Sequence, residues 1–333
     1  MGKIKKILLI IICANFSVGF SLSIEKTYLI PNLNNPATIV MNNNRIYVED
    51  GATIKLFGRN DFKYIKTIGR EGQGPGEFQG SANPQILPEK LLVSSSNKIS
   101  YFTLSGDFIK DKKHTLLGSQ IRAVNNKYVG FVWVFREDYV AYILYNADVK
   151  PIKELHRGKA LVHTNGRRDL FEIFFYDTYK DKIVVAHREG FTIDIFDSNG
   201  NRIHSIKHKV KPVPFTNEDR EKVIRYWREE RGLDQGQIEY LEKRTDFPDN
   251  YPPIQTCRLA DGKIYVVTYT KKDDQYECLI YDVNGKFLKK AYLSLKMLAP
   301  NHAFPFSING NNLYQLIYNN EDNIWELHVN RID

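Results

Sequence analysis

Cysteine is nearly absent from this chain: there are three in 333 residues. Cys13 lies in an apolar N-terminal leader, which leaves only Cys257 and Cys278 beyond it. Two cysteines in an exported chain invite a disulfide. The strand pattern argues against one, because the two fall on strands separated by a third. Neighbouring strands lie about 4.8 Å apart, so the first and third are about 10 Å apart, beyond disulfide reach. Two buried thiols are expected instead. Long apolar runs are also missing after the leader, so no later segment is expected to cross a membrane. Lys/Arg blocks are missing too. The formal charge is +8, but Lys3, Lys5 and Lys6 belong to the leader and the remainder carries only +5. Spread over so long a chain, that charge makes no case for nucleic acid.

The leader itself is informative. A basic start runs into Ile7-Leu8-Leu9-Ile10-Ile11-Ile12-Cys13-Ala14, and a small-residue stretch ends near Ser21-Leu22-Ser23. That is the pattern of a Sec-type signal peptide over residues 1–23, implying export to the periplasm or the exterior. An uncleaved anchor helix is the alternative, although the apolar core is short for a bilayer. Ile12 ahead of Cys13 argues against a lipoprotein.

What the chain has in quantity is aromatic residues, 13% of the total, and a recurring hairpin. Phe196-Asp197-Ser198-Asn199-Gly200-Asn201-Arg202-Ile203 matches Tyr281-Asp282-Val283-Asn284-Gly285-Lys286-Phe287-Leu288. Asn-Gly suits a type I′ turn, in which both central residues need positive φ. Looser copies occur at Phe57–Phe62, Thr103–Phe108 and Tyr145–Asp148. Gly106 follows Asp61 by 45 residues, Ala147 follows Gly106 by 41, and Gly200 follows Ala147 by 53. Such spacings match the repeat length of four-stranded propeller blades.

Five complete units can be read, each an inner strand, an Ile-Tyr-Val-like second strand, a third strand ending in an aromatic, and an outer strand. The first unit uses 37–40, 45–48, 53–57 and 62–68. The inner strands of the third, fourth and fifth units are placed at Ile121–Val124, Glu172–Tyr176 and Ile254–Leu259. A sixth unit shows only three strands, at 303–308, 312–317 and 323–329. The alternating segment Glu25–Ile30 is the natural fourth strand, closing a ring non-covalently. The fold class is therefore all-β, a six-bladed propeller over residues 24–333.

One interval breaks the rhythm. Gly285 follows Gly200 by 85 residues, leaving room for an insertion over 216–245. Thr216-Asn217-Glu218-Asp219 resembles a capping box with Asp in place of Glu. Val223, Ile224 and Trp227 recur at helical spacing, and Gly232 offers a stop. A second helix is expected from Asp234 to about Lys243, before Phe247–Pro253 leads back to the fifth blade. The insertion is either a decorated loop or a partner-binding element presenting Tyr226, Trp227 and Tyr240.

Between the first two units lies Gly69-Arg70-Glu71-Gly72-Gln73-Gly74-Pro75-Gly76-Glu77-Phe78, followed by Pro84. This resembles the inter-blade signature of NHL-repeat propellers. With the Tyr-Pro-Pro return from the insertion, the chain beyond the leader resembles exported six-bladed propellers of bacteria. The glycines do not form a P-loop, because Pro75 follows Gly74 where Lys is needed. Nor do they form a dinucleotide fingerprint, because strands follow rather than a helix.

In a propeller the outer-to-inner crossings and the second-to-third loops share one face. The candidate ligand ring at that channel mouth is Asp50, Arg136, Glu137, His187, Arg188 and Glu189. The resemblance also implies lyases and metal-dependent lactonases as relatives in kind. Of eight histidines only His187 maps near the channel mouth, and one histidine does not make a zinc site. No cofactor is expected, although calcium could be held through Asp50, Glu137 and Glu189. No nucleophile-base pairing can be read from the spacing. The expected function is recognition of a peptide, protein or glycan by an exported monomeric module. The alternative is a metal-dependent hydrolase or lyase using the channel carboxylates.

Overall fold

Five hairpin turns and one missing strand organise the molecule. The computed structural model describes residues 26–114, 120–134, 137–160, 162–163, 165–171, 175–187 and 190–332. The expected signal peptide lies outside the described residues.

Six four-stranded antiparallel sheets are arranged as blades. Blade 1 comprises Pro36–Met41, Arg45–Asp50, Ile54–Gly58 and Tyr64–Ile68 from the inside outwards. Blade 2 comprises Asn83–Ile86, Lys90–Ser95, Lys98–Thr103 and Phe108–Lys113. Blade 3 uses Arg122–Val124, Lys127–Val134, Tyr139–Tyr145 and Pro151–Lys159. Blade 4 uses Phe175–Tyr179, Lys182–Ala186, Thr192–Asp197 and Arg202–Lys207. Blade 5 uses Thr256–Ala260, Lys263–Lys272, Gln275–Asp282 and Phe287–Leu293. Blade 6 has Phe306–Asn309, Asn312–Asn319 and Ile324–Arg331. Its outer strand is Lys26–Ile30, paired antiparallel from Lys26 opposite Val329 to Ile30 opposite Trp325. The strand expected to close the ring does so.

The burial of each strand follows its position. Second strands are covered on both faces by neighbouring blades, so Ile46-Tyr47-Val48 and Ile264-Tyr265-Val266-Val267 are buried without alternation. Outer strands meet solvent, and Arg202–Lys207 buries only Ile206. Each seam between blades holds its own apolar cluster. Ile39, Val48, Leu316 and Leu327 join blades 1 and 6, while Val129, Leu144, Ile183 and Val185 join blades 3 and 4. Cys257 on the inner strand of blade 5 and Cys278 on its third strand are free and buried, as the strand spacing requires.

The turns differ from the sequence expectation. Gly200 and Gly285 have φ of 78° and 91°, but Asn199 and Asn284 are not at positive φ. The Gly285 amide donates to Asp282 O at 3.0 Å, and the pairing slips between Ile280 and Tyr281. That is a type I turn closed by a left-handed glycine and a bulge, rather than type I′. Val149 and Phe62 occupy the equivalent left-handed positions in blades 3 and 1, at φ of 59° and 54°. The glycine also has a packing role. A Cβ on Gly285 would overlap the His204 ring on the outer strand of blade 4.

The Gly69–Phe78 crossing is a closed knot of contacts. Phe78 is fully buried, and a Cβ on Gly69 (φ 72°) would overlap its ring. Glu77 Oε2 accepts the Gly74 amide at 2.8 Å while Arg70 Nε donates to Oε1 at 2.7 Å. Buried Lys98 donates to Gly74 O at 2.6 Å and pairs with Asp111 at 3.1 Å. The glycine-spaced phrase Gly69–Phe78 thus fixes the crossing between blades 1 and 2.

The insertion forms helices α1, Asn217–Glu229, and α2, Gln235–Arg244. Both begin with complete capping boxes, Thr216 with Asp219 and Asp234 with Gln237. α1 buries Val223, Ile224, Tyr226 and Trp227 over the seam of blades 5 and 6. Thr245–Asp246, at the end of α2, pairs in parallel with Arg168–Asp169 of the crossing from blade 3 to blade 4. The insertion therefore bridges the propeller face.

Two measurements check these contacts. Gly285→Ala is expected to cost more than the ~1–2 kcal/mol of a left-handed Cβ alone, because His204 blocks it. In a His204→Ala background the cost should fall to about 1–2 kcal/mol in urea unfolding; equal costs in both backgrounds would show that the turn does not bear on blade 4. The hydrogen bond from the Gly74 amide, followed by that from Arg70, holds the Glu77 carboxyl below its ordinary value. Its stabilisation is complete above the ordinary glutamate pKa and is lost as pH falls through the lower folded value. The Gly74 amide resonance should titrate with a midpoint below that of an unstructured glutamate, and a midpoint at or above it would refute the contact.

Candidate functional site

The inner strands surround a channel, and their inward side chains fill much of it. Gln85 Nε2 on blade 2 donates to Thr178 Oγ1 on blade 4 at 2.8 Å, while Gln85 Oε1 accepts the Ala123 amide at 2.7 Å. Arg122 Nε of blade 3 lies 3.6 Å from Asp177 Oδ1 of blade 4. Burial pushes the Asp177 carboxyl up, opposed by Arg122, the Thr178 amide and Arg258. Burial likewise pulls the Arg258 guanidinium down, opposed by Cys257 and Asp177 and reinforced by Arg122. Arg122, Asp177 and Arg258, from blades 3, 4 and 5, thus interact across the channel, with buried Glu49 of blade 1 also in electrostatic range of Arg122.

Above them, on the face carrying the crossings, opens a cavity of about 1080 Å³. One wall is the C-terminal turn of α1, with Tyr226, Glu230 and Arg231. The loop of blade 6 supplies Tyr318, Asn320, Asn323 and Trp325. The crossing from blade 6 to blade 1 contributes Asn34 and Asn35, and the crossing from blade 5 to blade 6 contributes Asn301 and His302. Arg258 reaches the cavity from below, its guanidinium 4.2 Å over the Phe306 ring. Its Nη1 donates to Thr256 Oγ1 at 3.0 Å and Cys257 O at 2.9 Å. His302 stacks on Tyr226 with ring centroids 5.2 Å apart. Desolvation by its neighbours and then the Arg231 charge push its pKa below the ordinary imidazole value.

The residues expected at the channel mouth are dispersed. Asp50 is buried, and its Oδ1 accepts the amides of Asn34 at 3.1 Å and Asn35 at 2.6 Å. It shapes the rim of the cavity from behind and is not open to a ligand. Glu137 is exposed on blade 3, within electrostatic range of Arg157. Arg136, Arg188 and Glu189 lie outside the described residues. His187 turns to the seam of blades 3 and 4, where it stacks on His156 at 3.8 Å and bonds Asp194 at 2.9 Å. Ser205 Oγ also donates to Asp194, at 2.6 Å. The serine proton points to the carboxylate rather than to the imidazole, so this cluster lacks the base-to-hydroxyl contact of an activated nucleophile.

Of the insertion residues, Tyr226 lines the cavity but is as buried as Trp227, and it supports the exposed His302 ring stacked on it. Trp227 is buried against Phe247, which withholds its ring from a partner. Tyr240 is exposed on α2 under the Arg244 guanidinium and does not line the cavity. Among the described residues, one group of three potential metal donors converges, His163, Asp169 and Asp246, mutually within 4.8 Å. Arg167 Nε already donates to Asp246 at 2.7 Å. The group coincides with the parallel pairing of the insertion to the crossing, and its chemistry is that of an ionic latch.

Sequence reasoning missed Arg122, Asp177, Arg258 and His302. Arg258 carried a usable signal, as a charged residue inside an expected inner strand, where alternate positions face the channel. Asp177 fell just past the expected end of its strand at Tyr176, whereas the observed strand is Phe175–Tyr179.

The chain is a six-bladed β-propeller, and comparison with known proteins agrees. Residues 27–150 match a family model described as 6-bladed beta-propeller. A protein from Bacteroides fragilis described as exported superposes with a TM-score of 0.56 at 11% identity, over 94% of this chain and 96% of that one. A member of the duf4221 family from Bacteroides vulgatus gives 0.51 at 10% identity, over 93% and 96%. At these identities the likeness is one of fold. No curated protein matches the chain. No helix among the described residues is long and apolar enough to cross a membrane.

The role given to Asp50 is testable. Asp50→Ala leaves the Asn34 and Asn35 amides without their acceptor, and a cost of about 1–3 kcal/mol is expected in urea unfolding. A stability unchanged from the parent protein would show that water replaces the carboxylate.

Proposed function

We propose that the chain is an exported binding module whose ligand is held in the cavity between α1 and the mouth of the channel. The observation that carries this reading is the cavity itself. At about 1080 Å³ it has the size of a small-ligand or oligomer site, and its walls come from several segments far apart in the chain. α1 is the wall that the regular repeat does not supply, so the insertion has a role in shaping the site. The leader pattern and the fold shared with a protein described as exported support export. Binding rather than hydrolysis is favoured because Asp50 is committed to two backbone amides and His187 to Asp194. Neither faces a reacting group held in the cavity.

The test is a binding screen of the purified chain against oligosaccharide and peptide arrays, with Tyr226→Ala and Asn323→Ala as cavity variants. Tyr240→Ala, on the exposed side of α2, is the control. At least one ligand is expected to bind, with affinity falling about tenfold or more in the cavity variants and unchanged in the control; a factor of ten corresponds to about 1.4 kcal/mol. Binding that survives both cavity variants, or no binding at all, would overturn the reading.

A further inference from the structure

Resting on that reading, the side chains around the cavity also carry information on the class of ligand. Among the described residues its lining includes two guanidinium groups, Arg231 and Arg258, and one carboxylate, Glu230. Arg231 forms no ion pair among the described residues. Arg258 spends Nη1 on Thr256 and Cys257 and one face on Phe306, and its other donors have no protein acceptor among the described residues. Deeper in the channel Arg122 lies beside Asp177 and in electrostatic range of buried Glu49, and its Nη1 is buried without a hydrogen-bond partner among the described residues. Two of the terminal carbonyls of α1, which would repel an anion, are taken up by local amides. Tyr226 O accepts from Glu230 and Arg231, and Trp227 O accepts from Leu233. Arg122 is offset by Asp177 and Glu49, so the excess of positive charge that favours one negative group lies in the lining itself, where Arg231 and Arg258 outnumber Glu230.

The remaining lining is of two kinds. Asn34, Asn35, Gln120 and Asn320 are exposed at the rim, and their side chains make no hydrogen bond among the described residues. Carboxamides both donate and accept, which suits hydroxyl groups that need both. Aromatic rings stand between them, with Tyr226 stacked on His302 and Tyr318 tilted against Trp325 at 5.2 Å. Rings of this kind present apolar faces beside a polar edge. Many hydroxyls, apolar ring faces and sparse carboxylates describe an acidic sugar chain. An acidic peptide would bring a higher charge density than this excess of positive charge can match.

We propose that the cavity binds an acidic oligosaccharide, with a sugar carboxylate brought to Arg258, hydroxyls held by the rim amides and sugar faces laid on the aromatic rings. Arg258 reads the charge, while the amides and the rings of Tyr318, Trp325 and His302, the last held by Tyr226, read the sugar.

The experiment measures binding by calorimetry to a panel of uronic-acid oligosaccharides, their carboxyl-reduced counterparts and acidic peptides of similar length. At least one acidic oligosaccharide is expected to bind, with its reduced counterpart about tenfold or more weaker, as loss of a charged hydrogen bond implies. Arg258→Met should weaken the acidic form by a similar factor and leave the reduced form unchanged, whereas Tyr226→Ala should weaken both. Arg231→Gln, at an exposed position, should also weaken the acidic form selectively, and it keeps the test decisive if Arg258→Met does not fold. Equal binding of acidic and reduced sugars, or binding of acidic peptides alone in a Tyr226-dependent way, would overturn this inference while leaving the cavity as the binding site. Absence of any Tyr226-dependent binding would overturn both.

Discussion

Each blade of this protein has two faces to bury, and only the next blade can cover them. That constraint governs the rest of the structure. The second strands are apolar on both sides because they are sandwiched, and each seam carries a cluster of its own. An open row of blades would leave one seam unpaired and one sheet edge bare, which invites association with other chains. The strand Lys26–Ile30 removes both defects, since it completes blade 6 while Ile30 enters the cluster shared with blade 1. Ring closure is thus a packing event as much as a pairing of strands.

The same constraint explains the recurring turn. A third-to-outer hairpin must swing out of the blade without striking its neighbour, and the left-handed glycine with its bulge achieves this where His204 faces Gly285. Val149 takes the left-handed position in blade 3 and is itself buried in the seam with blade 2. There the packing of a side chain offsets the cost of the backbone conformation.

The insertion uses the one seam that needs further cover. Blades 5 and 6 share their cluster with α1, with Ile238 of α2, and with Leu170 and Phe171 from the crossing between blades 3 and 4. The parallel pairing of Asp169 with Asp246 and the Arg167 contact hold the far end. Anchored at both ends, α1 presents Tyr226 and Arg231 to the channel mouth in a fixed relation to Arg258. The rigid scaffold and the added element together make the cavity.

The blade count, the closing strand, the insertion and the capping box of α1 were determined by the sequence alone. Their signals are local: two-residue alternation, turn chemistry within five residues and capping residues three apart. Local reading also explains the errors, since an Asn-Gly pair does not reveal whether one or both residues take positive φ. The site was less legible. Asp50 and His187 were correctly placed near loops, but a loop position does not reveal that an aspartate caps a neighbouring crossing or that a histidine turns into a seam. Arg122, Asp177 and Arg258 stand on three different blades, and Tyr226 on an insertion outside the repeat. Only closure of the ring brings them to one place, because the energy that positions them comes from contacts between segments far apart in the chain. The sequence by itself determined the repeat and its interruption. The tertiary structure decided which charged side chains share the channel and which ring forms the wall above them.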